Sequence, residues 1–298
     1  MKILLATDGS GEARAVRIFL TALDPTRVTA VRVLSVITAP NAWVGPYVDS
    51  FYAGPQALER ILEEERRAAA SMAEGEVEAL RSAGFQAEPD TMVGDAAETI
   101  LAAARAWEAD LVVLGHRGLS GLQEILLGSV ASNVARHADR PVLLARAPTN
   151  GLRRVLLATD GSPNAARAME FAARLPLPAA SEFVLLTVVK PYHPFPGLFP
   201  TNRTEFEQTV REVRHAQRRA AEALVEEVRA SLATADRPVA TSVREGDPAG
   251  EIIAAMHDHQ ADLLVIGARG ASGLRGLLVG SVADRLLRRV EGSLLIVH

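Results

Sequence analysis

Two sixteen-residue segments hold the residues best placed to do chemistry: GHRGLSGLQEILLGSV from Gly115 to Val130, and GARGASGLRGLLVGSV from Gly267 to Val282. Both have one spacing, a glycine, two residues, a second glycine, nine residues, then Gly-Ser. Gly115 and Gly118, like Gly267 and Gly270, leave out side chains where a ligand has to approach backbone closely. Gly128-Ser129 and Gly280-Ser281 open helical patterns that run on through Val130 and Val282. There, backbone N–H groups and the helix macrodipole favour an anion, and each serine hydroxyl adds a donor. Arg117 and Arg269, alike between the glycines, bring positive charge. A competing reading is that the glycines only shape turns and the serines only cap helices. Recurrence of the whole spacing, each time after an apolar run (ADLVVL, ADLLVI), weighs toward a phosphate-binding site.

A second motif repeats in step with the first. Thr7-Asp8-Gly9-Ser10 returns as Thr159-Asp160-Gly161-Ser162, and Gly94-Asp95 as Gly246-Asp247, each 152 positions on, as Gly115 is from Gly267. One offset throughout means no net insertion between the copies. The chain of 298 residues therefore reads as two tandem domains of ordinary size, residues 1–146 and 153–298.

The elements that must hold these motifs alternate between strand and helix. KILLAT is a buried strand, and Ser10 caps a helix to about Ala22. VTAVRVLSVI is the second strand, followed by a polar and aromatic loop and a long helix from Pro55 to a stop at Gly84. FQAEPDTMV alternates as a half-exposed strand, and Asp95 with Glu98 forms a capping-box pattern. ADLVVLG, GSVASNVARHA and PVLLAR complete the half. The second half repeats this order, with Asp247-Pro248 as cap and first turn. The halves diverge mainly in 38–55 and 190–203, which read as loops.

Alternating strands and helices predict an α/β fold, two doubly wound domains each built on a five-stranded parallel sheet. The third strand alternates and contains proline (Pro89, and Pro238 in the second copy), which suits an edge. The first and fourth strands are continuous apolar runs, which suit the centre. Order 3-2-1-4-5 satisfies both and needs only right-handed crossovers. Its switch point falls between strands one and four, where doubly wound folds bind ligands. The TDGS and glycine motifs leave those two strands, so both signals meet at one crevice.

Composition narrows the class further. Hydrophobic residues at 48%, charged residues at 23% and a net charge of −4 describe a globular chain and argue against general nucleic-acid binding. No apolar run approaches the ~20 residues of a membrane helix, and MKILLATDGS reads as strand and turn rather than signal peptide, so the cytoplasm is the expected location. Without cysteine there is no disulfide, thiolate zinc site or cysteine nucleophile. His257-Asp258-His259 looks like a metal trio, but the first copy has Trp107-Glu108-Ala109 there, so no metal site is assigned. His116 lies between the motif glycines, yet Ala268 replaces it, which argues against a shared acid–base role.

The TDGS turn, the Gly-Asp step before the third helix and the spaced glycines ahead of Gly-Ser together resemble the nucleotide-binding universal stress proteins, over essentially the whole chain as a tandem pair. The resemblance implies a Rossmann-like adenine-nucleotide fold of order 3-2-1-4-5. It implies that Asp8 and Asp160, with Thr7 and Thr159, lie near a ribose. Val36 and Val188 would offer backbone groups to adenine beside Ala6 and Ala158. Gly115, Gly118, Gly128, Ser129 and Val130 would hold ribose and phosphates, as would Gly267, Gly270, Gly280, Ser281 and Val282. ATP is the implied ligand, with Mg²⁺ or Mn²⁺ arriving on the phosphates. Ala6 and Ala158 stand where some ATP-binding members have proline, a small departure at a backbone contact. Three or four hydrogen bonds to phosphate at roughly 1.5–3 kcal/mol each, plus adenine burial, reach the ~8 kcal/mol of micromolar binding.

Rival classes leave other traces. There is no GxxxxGK[ST] P-loop, no GxGxxG and no GxSxG nucleophile elbow. A receiver-like phospho-acceptor domain would want paired acids after strand one and a lysine after strand five, and this chain has neither. The remaining alternatives are a nucleotide-independent interaction module of the same fold and a weak ATPase. No catalytic residue is assigned, because no residue set common to both copies supplies a water-orienting group and positioned metal. The fifth strands, PVLLA and SLLIV, are apolar edges without blunting charges, so the halves are expected to pair through them as a pseudo-twofold dimer. A homodimer of whole chains is the further association this arrangement allows.

Overall fold

A computed structural model describes the chain except residues 39–54, 117–126, 149–150, 193–202, 233–236 and 271–278. It divides into two compact units, Met1–Gly151 with Pro176–Pro178, and Leu152–Leu175 with Ala179–His298. In the first unit the elements are β1 (Lys2–Thr7), α1 (Gly11–Thr21), β2 (Ala30–Ile37), α2 (Pro55–Ser82), β3 (Ala87–Val93), α3 (Ala96–Ala106), β4 (Leu111–Gly115), α4 (Ser129–His137) and β5 (Val142–Ala145). The second contains β6 (Arg154–Ala158), α5 (Pro163–Arg174), β7 (Glu182–Val189), α6 (Arg203–Leu232), β8 (Val239–Glu245), α7 (Pro248–Asp258), β9 (Leu263–Gly267), α8 (Ser281–Arg289) and β10 (Ser293–Val297).

Strand order is β3-β2-β1-β4-β5 in the first unit and β8-β7-β6-β9-β10 in the second, which is 3-2-1-4-5 in both. The pairs within each unit are parallel. Register aligns Leu4 with Val112 and Leu156 with Leu264, all four of them buried. The central strands are apolar on both faces because helices cover both faces. β3 and β8, at the ends of the order, are half-exposed or exposed at every residue but Ala87. Pro89 lies within β3 opposite Val33, as an edge strand tolerates. Pro238 departs from expectation: it stands just ahead of β8, where its carbonyl accepts a 3.0 Å hydrogen bond from the Phe183 amide.

Helix starts follow the capping residues closely. Asp95 accepts from the Glu98 amide at 3.0 Å, and Asp247 from the Gly250 amide at 2.9 Å. Ser162 caps α5 through Ala165, at 3.2 Å, with Pro163 in the first turn. Ser10 occupies the same position before α1, but its hydroxyl makes no cap hydrogen bond. Among the described residues no helix is long and apolar enough to cross a membrane.

Candidate functional site

The turn after the first strand of each half is built by its own side chains. The Asp8 carboxylate accepts from the Ser10 amide, and Asp160 from Ser162, each at 3.0 Å. The hydroxyls of Thr7 and Thr159 accept from the Gly9 and Gly161 amides at 3.3 Å. These Asx and Thr turns bend the chain back at once, which forces φ to +71° at Gly9 and +74° at Gly161, a region where glycine carries no side-chain penalty. Thr187 on β7 donates to the Thr159 carbonyl and pins the strand end from the other side.

The fourth strand ends beside this turn. Gly128 and Gly280 return to it, donating to the carbonyls of His116 and Ala268 at 2.8 Å. Gly280 then caps α8 with no side chain to offer. The first intrahelical bond in that turn runs from the Asp284 amide to the Gly280 carbonyl, so the amides of Ser281, Val282 and Ala283 precede the ladder. α5 and α7 differ, because Ser162 and Asp247 already occupy one of their leading amides. Gly128 caps α4 in the same bare way. Ser129 and Ser281 therefore sit inside their helices as first residues rather than serving as caps.

In the second half these parts enclose a cleft of about 350 Å³, within the usual range for small-ligand pockets. Ala158, Thr159, Asp160, Val188, Gly267, Arg269, Gly270, Gly280, Ser281 and Val282, the ten second-half residues singled out from sequence, all line it. Among the described residues, sequence reasoning missed Ala165, Leu186, Ile252, Ile266, Ala268 and Ala283, which line it together with Pro248. The Gly-Asp-Pro step pointed toward Pro248. The other six carry no signal beyond apolar or small character. Leu186, Val188, Pro248, Ile252 and Ile266 make an apolar portion suited to a flat ring, while Thr159, Asp160, Arg269 and Ser281 supply polar groups.

The first half repeats the framework where it is described. Ala6 and Thr7 close β1, Asp8 follows, Val36 lies near the end of β2, and Gly115 ends β4. Gly128, Ser129 and Val130 begin α4. Arg117 and Gly118 lie outside the described residues.

Two motif glycines answer to different neighbours. A Cβ on Gly267 would lie 2.7 Å from the Asn164 carbonyl carbon and 2.9 Å from the Ala165 nitrogen, in the first turn of α5. That glycine is required by helix-on-strand packing. A Cβ on Gly270 would lie 2.5 Å from Asp160 Oδ2, so this glycine keeps the TDGS carboxylate in place at the cleft. The Ser162 hydroxyl, donating to the Arg269 carbonyl at 3.4 Å, joins the same two motifs.

One ionisable group beside the cleft is strongly shifted. Asp247 holds Arg285 in a two-pronged pair, at 2.6 and 2.7 Å. That guanidinium, then the Gly250 amide, brings its carboxyl down to about 2. A lowered carboxyl stabilises the fold in full above pH ~4, where the unfolded chain is also ionised, and that contribution vanishes as pH falls through about 2. Replacing Asp247 by Asn keeps a capping side chain and removes the pair. The variant should melt slightly below the parent at pH 7, by about a degree or two for an exposed pair, with the gap closing between pH 4 and 2. Thermal melts across that range check it, and a pH-independent gap counts against it. The His257-Asp258-His259 trio has a simpler explanation: Asp258 is taken by Arg244 at 2.7 Å. Among the described residues no group of three or more His, Asp or Glu could hold a metal.

The sequence model of the universal stress protein family matches residues 1–146 and again 151–298. A universal stress protein of Synechocystis sp. is 35% identical over 150 residues, which is 49% of this chain and 97% of that protein. One from Mycolicibacterium smegmatis is 28% identical over 265 residues, 86% of this chain and 85% of the relative. The crystal structure of a universal stress protein from Archaeoglobus fulgidus aligns with a TM-score of 0.62 at 22% identity, covering 99% of this chain and 95% of its own, a likeness of fold. With the family's domain matched twice along its length, the chain belongs to the universal stress protein family.

Proposed function

We propose that each half, residues 1–146 and 153–298, binds one adenine nucleotide, ATP foremost, in the crevice between its first and fourth strands. Adenine contacts backbone at Ala158 and Val188, the ribose meets Asp160 and Thr159, and the phosphates lie over Gly267–Gly270 and the start of α8. Ala6, Val36, Asp8, Thr7, Gly115–Gly118 and Gly128–Val130 serve the first half in the same way. Arg117 and Arg269 add charge, and Mg²⁺ or Mn²⁺ comes with the phosphates rather than from a protein cage. The observation that carries this reading is the glycine-capped start of α8, whose three leading amides and dipole face a cleft with an apolar portion. The protein acts in the cytoplasm as a stress-response sensor or regulator that reads nucleotide state.

Isothermal titration of the full chain with ATP, AMP and cyclic AMP tests the proposal. Two equivalents of ATP near micromolar affinity are expected. Absence of heat with all three would favour the nucleotide-independent interaction module. Hydrolysis is expected to be slow or absent, since no residue set common to both copies supplies a water-orienting group, although Arg117 and Arg269 add charge. Sustained turnover near 1 s⁻¹, ordinary for enzymes, would make the protein an ATPase instead. The two halves are further proposed to associate through their fifth strands. NMR relaxation should then give one tumbling time for both halves, and two separate times would refute the pairing.

A further inference from the structure

We propose that the Asp247–Arg285 ion pair is a clamp between the two helices that wall the second-half cleft, and that it makes this cleft the tighter of the chain's two nucleotide sites. The inference rests on the functional reading above and adds an inequality between the halves.

The pair is placed where it can act. Asp247 immediately precedes Pro248, which lines the cleft from α7. Arg285 lies one turn beyond Ser281, which lines it from α8, and residues four apart share a helix face. The carboxylate is already fixed by the Gly250 amide at 2.9 Å. Both its oxygens then receive the guanidinium fork, a geometry that sets orientation as well as distance. The starts of α7 and α8 are thereby tied within one turn of the surfaces a ligand would touch. Lys190 adds positive charge close enough to deepen the hold on the Asp247 carboxyl.

The first half has the same backbone framework without the clamp. Asp95 caps α3 through the Glu98 amide, but the position on α4 matching Arg285 is Asn133. An amide cannot form the charged fork, so among the described residues the starts of α3 and α4 lack this tie; the ion pair between these elements, Arg105–Asp139 at 3.0 Å, lies at their far ends. Fixing a site before binding lowers the ordering cost that binding must otherwise meet.

The test separates the clamp from a simple charge effect. With Gly118→Leu present, so that only the second cleft titrates, Arg285→Asn and Asp247→Asn should each weaken ATP binding about twofold to fivefold. The double substitution should cost no more than either alone, since both remove one interaction. In a Gly270→Leu background, Asn133→Arg should tighten the first cleft by a similar factor. In the ligand-free chain, hydrogen exchange should quicken at Gly250, Glu251 and Asp284, the first bonded amides of α7 and α8, in either second-half variant. Tighter binding by Asp247→Asn would overturn the clamp and leave Arg285 as a neutraliser of that carboxylate. Unchanged affinities or fully additive losses would overturn it as well. A parent chain that takes up no ATP defeats the functional reading and the claimed inequality. Hydrogen exchange then still decides, without ligand, whether the pair ties the helices.

Discussion

Replacing Gly270 by leucine should remove nucleotide binding from the second half and leave the first half intact. The reason is local and severe. Even the first carbon of a side chain would stand 2.5 Å from Asp160 Oδ2, so the carboxylate must move from the place its hydrogen bond to the Ser162 amide sets. The rest of the leucine would enter the cleft that Gly270 lines. We expect at least a hundredfold loss of affinity, equivalent to about 2.7 kcal/mol. Titration should fall from two equivalents of ATP to one. Gly270 is exposed, so the melting temperature should hardly change. Gly118→Leu should do the same for the first half, and the double variant should bind nothing. If the double variant binds ATP as the parent does, the site has been misplaced.

Gly267→Ala should behave differently, although both glycines belong to one motif. Its Cβ would press on the backbone of Asn164 and Ala165, which has little room to yield. Pro163 and the Ser162 cap fix that first turn of α5, and Ala165 is buried. Relief requires α5 to lift from β9, an overpacking cost of about 1–3 kcal/mol. A fall in melting temperature of about 3–10 °C is expected, seen by calorimetry without any ligand. Nucleotide affinity should weaken only as far as the cleft is displaced. A variant with parental stability and no binding would mean that Gly267 serves the ligand directly. The pair of substitutions thus separates the packing glycine from the site glycine.

The sequence by itself determined the architecture. Continuous apolar runs at 111–114 and 263–266 suited central strands, and the alternating third strand, with Pro89 in the first copy, suited an edge. Burial on two faces or one is written directly into hydrophobic pattern, so strand order follows from composition along each strand. The repeated offset set the two halves. The Asp95, Ser162 and Asp247 caps were legible for a similar reason, because a cap acts on amides two or three residues away.

Only the tertiary structure decided matters that depend on residues far apart in sequence. A glycine prints the same letter whether it admits a ligand, a carboxylate or a helix, and Gly267 and Gly270 were told apart by the α5 backbone and Asp160. Ser10 and Ser162 occupy matching positions, yet only Ser162 caps its helix. Ile252 and Leu186 read as ordinary core positions until the cleft placed them beside the motif. Charge partners were equally hidden. Arg17 pairs with Glu76 at 3.0 Å between α1 and α2, where the matching second-half positions carry Met169 and Val228. Arg285 reaches back 38 residues to Asp247. Such contacts are set by how helices lie on the sheet, and the periodicity of one helix shows which face is charged without naming the residue opposite it.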